Sequence, residues 1–243
     1  VEDYGLSNTS TYEGLVNTLE DLFDDHHVLK AGFWRNVKIG LKNNKFSLVP
    51  AKLFEEEGLY DYLRLNCKVE PEKEEFLYYK HIKSEAVNSF AVNNRLMSWL
   101  KSLYPNKEVG FIHQSSTLIE GALSQLASNP ADSLFVYIDR FKLHVIAVKG
   151  GKLEYYNQFL IKEFSDYIKY IMLVLKGLGR DQNTTPVVFW GYIGRTSNHY
   201  KEFTKYIKNL SFGDRPKYLK FNYMFDEIQD HQYFDLYSLH LCE

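Results

Sequence analysis

Residues 134–160, LFVYIDRFKLHVIAVKGGKLEYYNQFL, decide the fold. Leu134 to Ile138 is an unbroken apolar run, the pattern of a strand buried on both faces. Leu143 to Val148 reads as a second strand and Leu153 to Phe159 as a third. Gly150-Gly151 joins the last two by the two-residue turn that hairpins favour, because glycine accepts positive φ without strain. Asp139-Arg140-Phe141-Lys142 forms the preceding hairpin.

Towards the C-terminus the periodicity changes. Ser165 to Lys176 carries apolar residues at helical spacing and ends at Gly177. Val187 to Trp190 is a fourth strand. Ser197 starts a helix through Tyr200, Phe203 and Ile207. Lys217 to Tyr223 is read as the fifth strand and Asp230 to Leu241 as a closing helix, with Tyr233, Leu236, Tyr237 and Leu241 on its buried face. The order β-β-β-α-β-α-β-α implies a mixed sheet with helices on both faces.

Before this block, Asn129-Pro130-Ala131-Asp132 breaks the chain. Upstream, Ser10 to Glu13 reads as a capping box opening a helix to about Asp25. Strands follow at 37–41 and 46–49, with Asn43-Asn44 as the turn and Pro50 as the stop. A helix is expected over Leu53 to Leu65, then strands at 75–83 and 86–92. Asn93 caps a helix ended by Pro105. Val109 to His113 is a strand, and Thr117 with Glu120 forms a capping box for the helix after it.

The chain has 243 residues, enough for two packed lobes. Its 29 basic and 31 acidic residues give no electrostatic footprint for nucleic acid. Cys67 and Cys242 make no disulfide framework, which reads as a reduced, cytoplasmic setting. No apolar run is long enough for a helical membrane span. The chain opens at Val1 rather than Met, so a natural N-terminal segment is expected to be absent. The sequons at Asn8, Asn183 and Asn209 occur by chance in such a protein.

The chain resembles an uncharacterised bacterial family with a degenerate actin-like ATPase fold, distantly similar to pilus-assembly and secretion proteins of that superfamily. The resemblance lies in Lys45 to Pro50 (KFSLVP), His113 to Thr117 (HQSST), Gly151 to Phe159 (GKLEYYNQF) and His231 to Glu243 (HQYFDLYSLHLCE). It implies an α/β protein of two ribonuclease H-like units, with mixed sheets covered by helices. Residues 1–130 form the first unit, with an insertion at about 46–92 and its opening hairpins missing. Residues 131–243 form the second.

In active members of that superfamily each unit's first hairpin supplies an Asp followed by Gly and Ser/Thr. Backbone N–H groups there cradle phosphate, and the Asp positions Mg²⁺ and water. The matching residue here is Asp139, but Arg140 and Phe141 stand where small residues would be. A later Gly-Gly loop supports adenosine, and here it reads Gly191-Tyr192-Ile193-Gly194. Asp139, Gly191 and Gly194 are therefore the candidate nucleotide contacts. Each lost hydrogen bond to a charged group removes roughly 1.5–3 kcal/mol, so losing two or three lowers affinity by roughly two to six decades.

Other motifs have plainer readings. His26-His27 beside Asp24-Asp25 lacks metal-ligand spacing and reads as a solvated helix end. His113 with Ser115-Ser116 lacks a nucleophile elbow. Lys80 to Lys83 and Lys217 to Phe221 interleave lysine with aromatics, a pattern that can stack single-stranded RNA. The expected function is a non-catalytic pseudo-ATPase that binds a protein partner, with no catalytic residue, no metal and no bound cofactor. A protein that binds or hydrolyses ATP with Mg²⁺ through unusual loops is the alternative, and an RNA-binding protein is the second alternative.

Overall fold

The computed structural model describes residues 1–7, 9–81, 83–126 and 132–243. Of the break expected at Asn129 to Asp132, residues 129–131 lie outside them. Contacts divide the chain into two compact units: Val1–Lys80 with Ala86–His113, and His81–Glu85 with Gln114–Glu243. The division falls at His113/Gln114, earlier than the expected break, because the helix at Gln114 packs against elements of the second unit.

In the first unit, helices α1 (Tyr12–Asp25) and α2 (His27–Lys30) precede β1 (Val37–Leu41). Then come β2 (Phe46–Pro50), α3 (Leu59–Arg64), β3 (Glu74–Lys80), β4 (Ala86–Asn93), α4 (Asn94–Leu103) and β5 (Val109–His113). β1 pairs with β5 in parallel. The expected insertion forms its own antiparallel sheet, ordered β2-β4-β3. Leu41, Phe90, Val92, Met97 and Phe111 fill this unit's core.

The second unit contains α5 (Gln114–Ser124), β6 (Leu134–Asp139), β7 (Lys142–Lys149), β8 (Lys152–Leu160) and α6 (Phe164–Gly177). It ends with β9 (Val187–Gly191), α7 (Asn198–Tyr206), β10 (Leu210–Phe212) and α8 (Phe234–Ser238). Its sheet is ordered β10-β9-β6-β7-β8, antiparallel on the hairpin side and parallel on the other. Successive side chains of a strand face opposite ways. Leu134, Val136 and Ile138 join Leu143, Val145, Val187 and Phe189 in a core with α6 and α7. The alternate residues serve the other face, where Trp190 stacks between Phe135 at 5.1 Å and Phe234 at 4.0 Å. Gly121 of α5 lies so close to α8 that a Cβ would sit 2.2 Å from Ser238 Oγ.

Both parts of the chain repeat one order. α1, β1, α4, β5, α5 corresponds to α6, β9, α7, β10, α8, with β1 and β5 parallel as β9 and β10 are. The insertion lies between β1 and α4.

Several elements depart from expectation. The fifth strand is Leu210–Phe212, not 217–223. Gly213 donates to Phe189 O at 3.0 Å, and its missing side chain leaves room for the Trp190 indole, which fixes the edge strand just before it. The helix expected over 53–65 shrinks to α3 after two short 3₁₀ turns, 51–53 and 56–58, tied down by the Tyr62 hydroxyl bonding to Leu53 O and Glu55 N. Thr11, not Ser10, caps α1 through Gly14 N. Thr117 lies inside α5, which starts directly at Gln114, and its hydroxyl bonds back to Gln114 O. The closing helix is only α8, followed by a 3₁₀ turn. Phe234 and Tyr237 are buried in it, whereas Leu236 is exposed.

Candidate functional site

Asp139 is the last residue of β6 and pairs across the hairpin with Lys142. Between them Arg140 adopts φ 50°, a left-handed conformation that glycine accepts more readily. The turn's carbonyls are engaged: Tyr167 donates its hydroxyl to Arg140 O, and Ile161 N–H donates to Phe141 O at 2.8 Å. Phe141 is 74% exposed. The Arg140 guanidinium lies 5.6 Å from the centre of the Tyr192 ring.

The Asp139 carboxylate is held by Gln114, the first residue of α5. Gln114 Nε2 donates to Asp139 Oδ2 at 2.9 Å and to Asp235 Oδ2 at 2.8 Å, so one buried amide bridges two carboxylates. Asp235 Oδ1 accepts from the Tyr137 hydroxyl at 2.6 Å and from Leu236 N–H at 2.9 Å. Burial pushes the Tyr137 phenol well above its ordinary range, and the charges of Asp235 and Asp139 add to the shift. Tyr137 therefore keeps its proton and remains a donor.

Gly191 ends β9 beside Ile138, so Asp139 and Gly191 close neighbouring strands. Its φ is 93°, and a Cβ would fall 2.1 Å from Ile138 O. Gly191 N–H donates to His231 O, and Tyr192 N–H donates to Ile138 O, each at 2.8 Å. Glycine is thus required here by the packing of one strand end on another. Gly194 lies further along, in the turn before α7. Its carbonyl accepts from Ser197 N–H at 3.1 Å, and Ser197 caps α7 through Tyr200 N–H. Beside this turn the His231 ring contacts Ile193 O through Nε2 at 2.6 Å. Burial lowers the pKa of His231.

The remaining candidates are held by local structure. His26 caps α2 through Leu29 N–H and pairs with Glu2 at 2.8 Å. His113 stacks on Phe46. Ser115 and Ser116 are buried, and Ser115 bonds with Tyr156. Lys80 lies over the rings of Phe54 and Tyr78. Tyr218 bonds to Ser238 at 3.0 Å, and burial pushes its phenol up to about 12. Among the described residues no three His, Cys, Asp or Glu side chains converge as a metal cluster. Nor is any helix among them long and apolar enough to cross a membrane.

Sequence reasoning singled out Asp139 but missed Gln114, Tyr137, Asp235 and His231. Gln114, Asp235 and His231 lie in the HQSST and HQYFD stretches that carry the family resemblance, which was the only signal pointing to them.

Residues 1–210 match the family described as "Protein of unknown function (DUF3822)". No curated protein matches the sequence. A Bacteroides thetaiotaomicron protein, described as having an actin-like ATPase fold and unknown function, superposes with TM-score 0.80 at 20% identity. That match covers 98% of this chain and 84% of the other. A chain of the PilM–PilN type IV pilus biogenesis complex superposes with TM-score 0.56 at 14% identity, covering 97% and 87%. The fold is therefore that of the actin-like ATPases.

Proposed function

We propose that this chain, which belongs to the DUF3822 family of proteins of unknown function, is a non-catalytic relative of the actin-like ATPases that works by binding another protein. One observation carries the reading. The carboxylate in the position of the phosphate-hairpin Asp is bound by the Gln114 amide, and the turn after it is built from Arg140 and Phe141 with both carbonyls engaged. Phosphate recognition at such a hairpin needs backbone N–H groups that approach closely and a carboxylate free to order Mg²⁺ and water. Here Asp139 is engaged within the protein.

The protein-binding half of the reading is supported by the PilM–PilN complex, a two-protein assembly by its description. Fold alone does not transfer function, so this support is by analogy. Isothermal titration of the full chain with Mg-ATP tests the non-catalytic half. The expected result is no binding in the low micromolar range and no phosphate release. Low micromolar binding that disappears in Asp139→Ala would sink the reading.

A further inference from the structure

We propose that two complementary surfaces of the second unit seat one copy of this chain on another. This goes beyond the reading above and does not depend on it.

The first surface is a groove of about 630 Å³ between the outer side of α6 and the turn at 180–183. Its floor is Met172 and Leu173, the latter 58% exposed although it is leucine. Lys169 and Lys176 stand one turn to either side. Lys176 carries no ion pair among the described residues, and Lys169 has a 4.0 Å contact with Asp166 and lies 5.4 Å from the centre of the Tyr170 ring. The Arg180 guanidinium in the groove wall is committed to Val148 O and Glu154. The groove thus presents an apolar spot between two ammonium groups, with the Asp181 carboxylate also in its lining, where it accepts from Asn183 N–H at 2.6 Å.

The second surface is a knuckle at 222–227. Tyr223 and Met224 are 81% and 70% exposed, and Asp226 and Glu227 follow them on the surface. The knuckle is built and held. Asn222 Oδ1 accepts from Met224 N–H at 3.2 Å. Arg215 donates to Phe225 O and to Ile228 O, and pairs with Asp230 at 2.8 Å. Phe221 and Phe225 pack on Tyr237 beneath it. A preformed protrusion loses little conformational freedom on docking, and Tyr and Met are residue types enriched at interface cores.

The surfaces match in kind. An adjacent aromatic and thioether followed by two carboxylates faces a methionine and a leucine flanked by two ammonium groups. Tyr223 and Met224 are exposed within one copy, and the charge match with this chain's own groove makes a second copy the proposed occupant. Knuckle and groove are different surfaces, so the contact either closes as a two-fold pair using both twice or continues head to tail.

Sedimentation velocity of the full chain across the micromolar range tests this. The parent is expected to sediment faster as concentration rises and to revert in high salt, because exposed charge pairs are screened. The double variant Tyr223→Ala with Met224→Ala should need at least about tenfold more protein to reach the same state. Lys176→Glu and Glu227→Lys should each weaken association alone by several-fold, since like charges then meet. Mixed in equal amounts they should associate more strongly than either alone, because the mixture restores both a parent pair and a reversed pair. All four side chains are exposed, and an unchanged thermal melt shows that each variant is folded. A parent that stays monomeric throughout, or a mixture no more associated than its components, would overturn the proposal. Neither outcome bears on the Mg-ATP titration.

Discussion

Gln114→Ala removes the amide that bridges Asp139 and Asp235, at distances of 2.9 and 2.8 Å. A hydrogen bond to a charged group contributes about 1.5–3 kcal/mol, so the two sum to about 3–6 kcal/mol. Asp139 is only part-buried, and water can replace its share once the amide is gone. Asp235 is buried and loses a partner that water replaces poorly. The net expectation is a loss of about 2–4 kcal/mol. For a chain of this size each kcal/mol lowers Tm by about 2–4 °C, so the melt should fall by about 4–16 °C. Circular dichroism melts of parent and variant, at equal concentration and neutral pH, read this directly. Gln114→Glu is the sharper control: its shape is retained, but a third carboxylate meets the other two, so it should be less stable than the alanine variant. An alanine variant melting within about 2 °C of the parent, or a glutamate variant more stable than alanine, would refute the bridging role.

Gly191→Ala should yield little soluble protein, because its Cβ would meet Ile138 O at 2.1 Å in a backbone conformation of φ 93°; recovery of a parent-like melt would show that the β9 exit relaxes. His231 has its pKa lowered by burial, so the unfolded chain binds the proton more readily. Stability should therefore be full above the unfolded value of about 6.5 and fall as pH drops below it towards the folded value. Urea titrations at descending pH should show this slope reduced in His231→Gln, and an unchanged slope would exclude His231 as its source. Deleting 231–243 removes buried Phe234, Tyr237 and Cys242 and should leave an insoluble or molten chain; a truncated protein that melts at the parent temperature would move this segment from core to surface.

The second unit was legible because its signals are local. Two glycines with φ of 56° and 79° make the hairpin at 150–151, and the apolar run at 134–138 has nowhere to go but the sheet centre. Helices α4 and α7 carry their caps, Asn93 and Ser197, next to their first turns. The fifth strand was misread because Lys217 to Tyr223 alternates well, yet the edge position is decided by Trp190 needing a residue without a side chain at 213. In α5 the expected cap gave way because residues 114–123 are all buried, and Gln114, Ser115 and Glu120 bond to distant parts of the unit. Glu120, for example, meets His81 at 2.7 Å across 39 positions. The site divides the same way. Asp139 was singled out because the resemblance matches it to the phosphate-hairpin Asp, whereas its partners Gln114 and Asp235 lie 25 and 96 positions away, and no spacing rule connects them.

The stacking of Trp190 against Phe234 also sets a timetable for synthesis. The indole emerges 44 residues before the ring that covers it. At about 5–20 residues per second, that leaves the Trp190 indole without its Phe234 cover for about 2–9 seconds in every newly made chain. During that interval α5, α6 and α7 can already pack on the sheet, so the part left open to other chains is the aromatic pair Phe135 and Trp190. A chain cut short before Phe234 stays in that state. Such products are expected to be the ones that chaperones and proteases capture first.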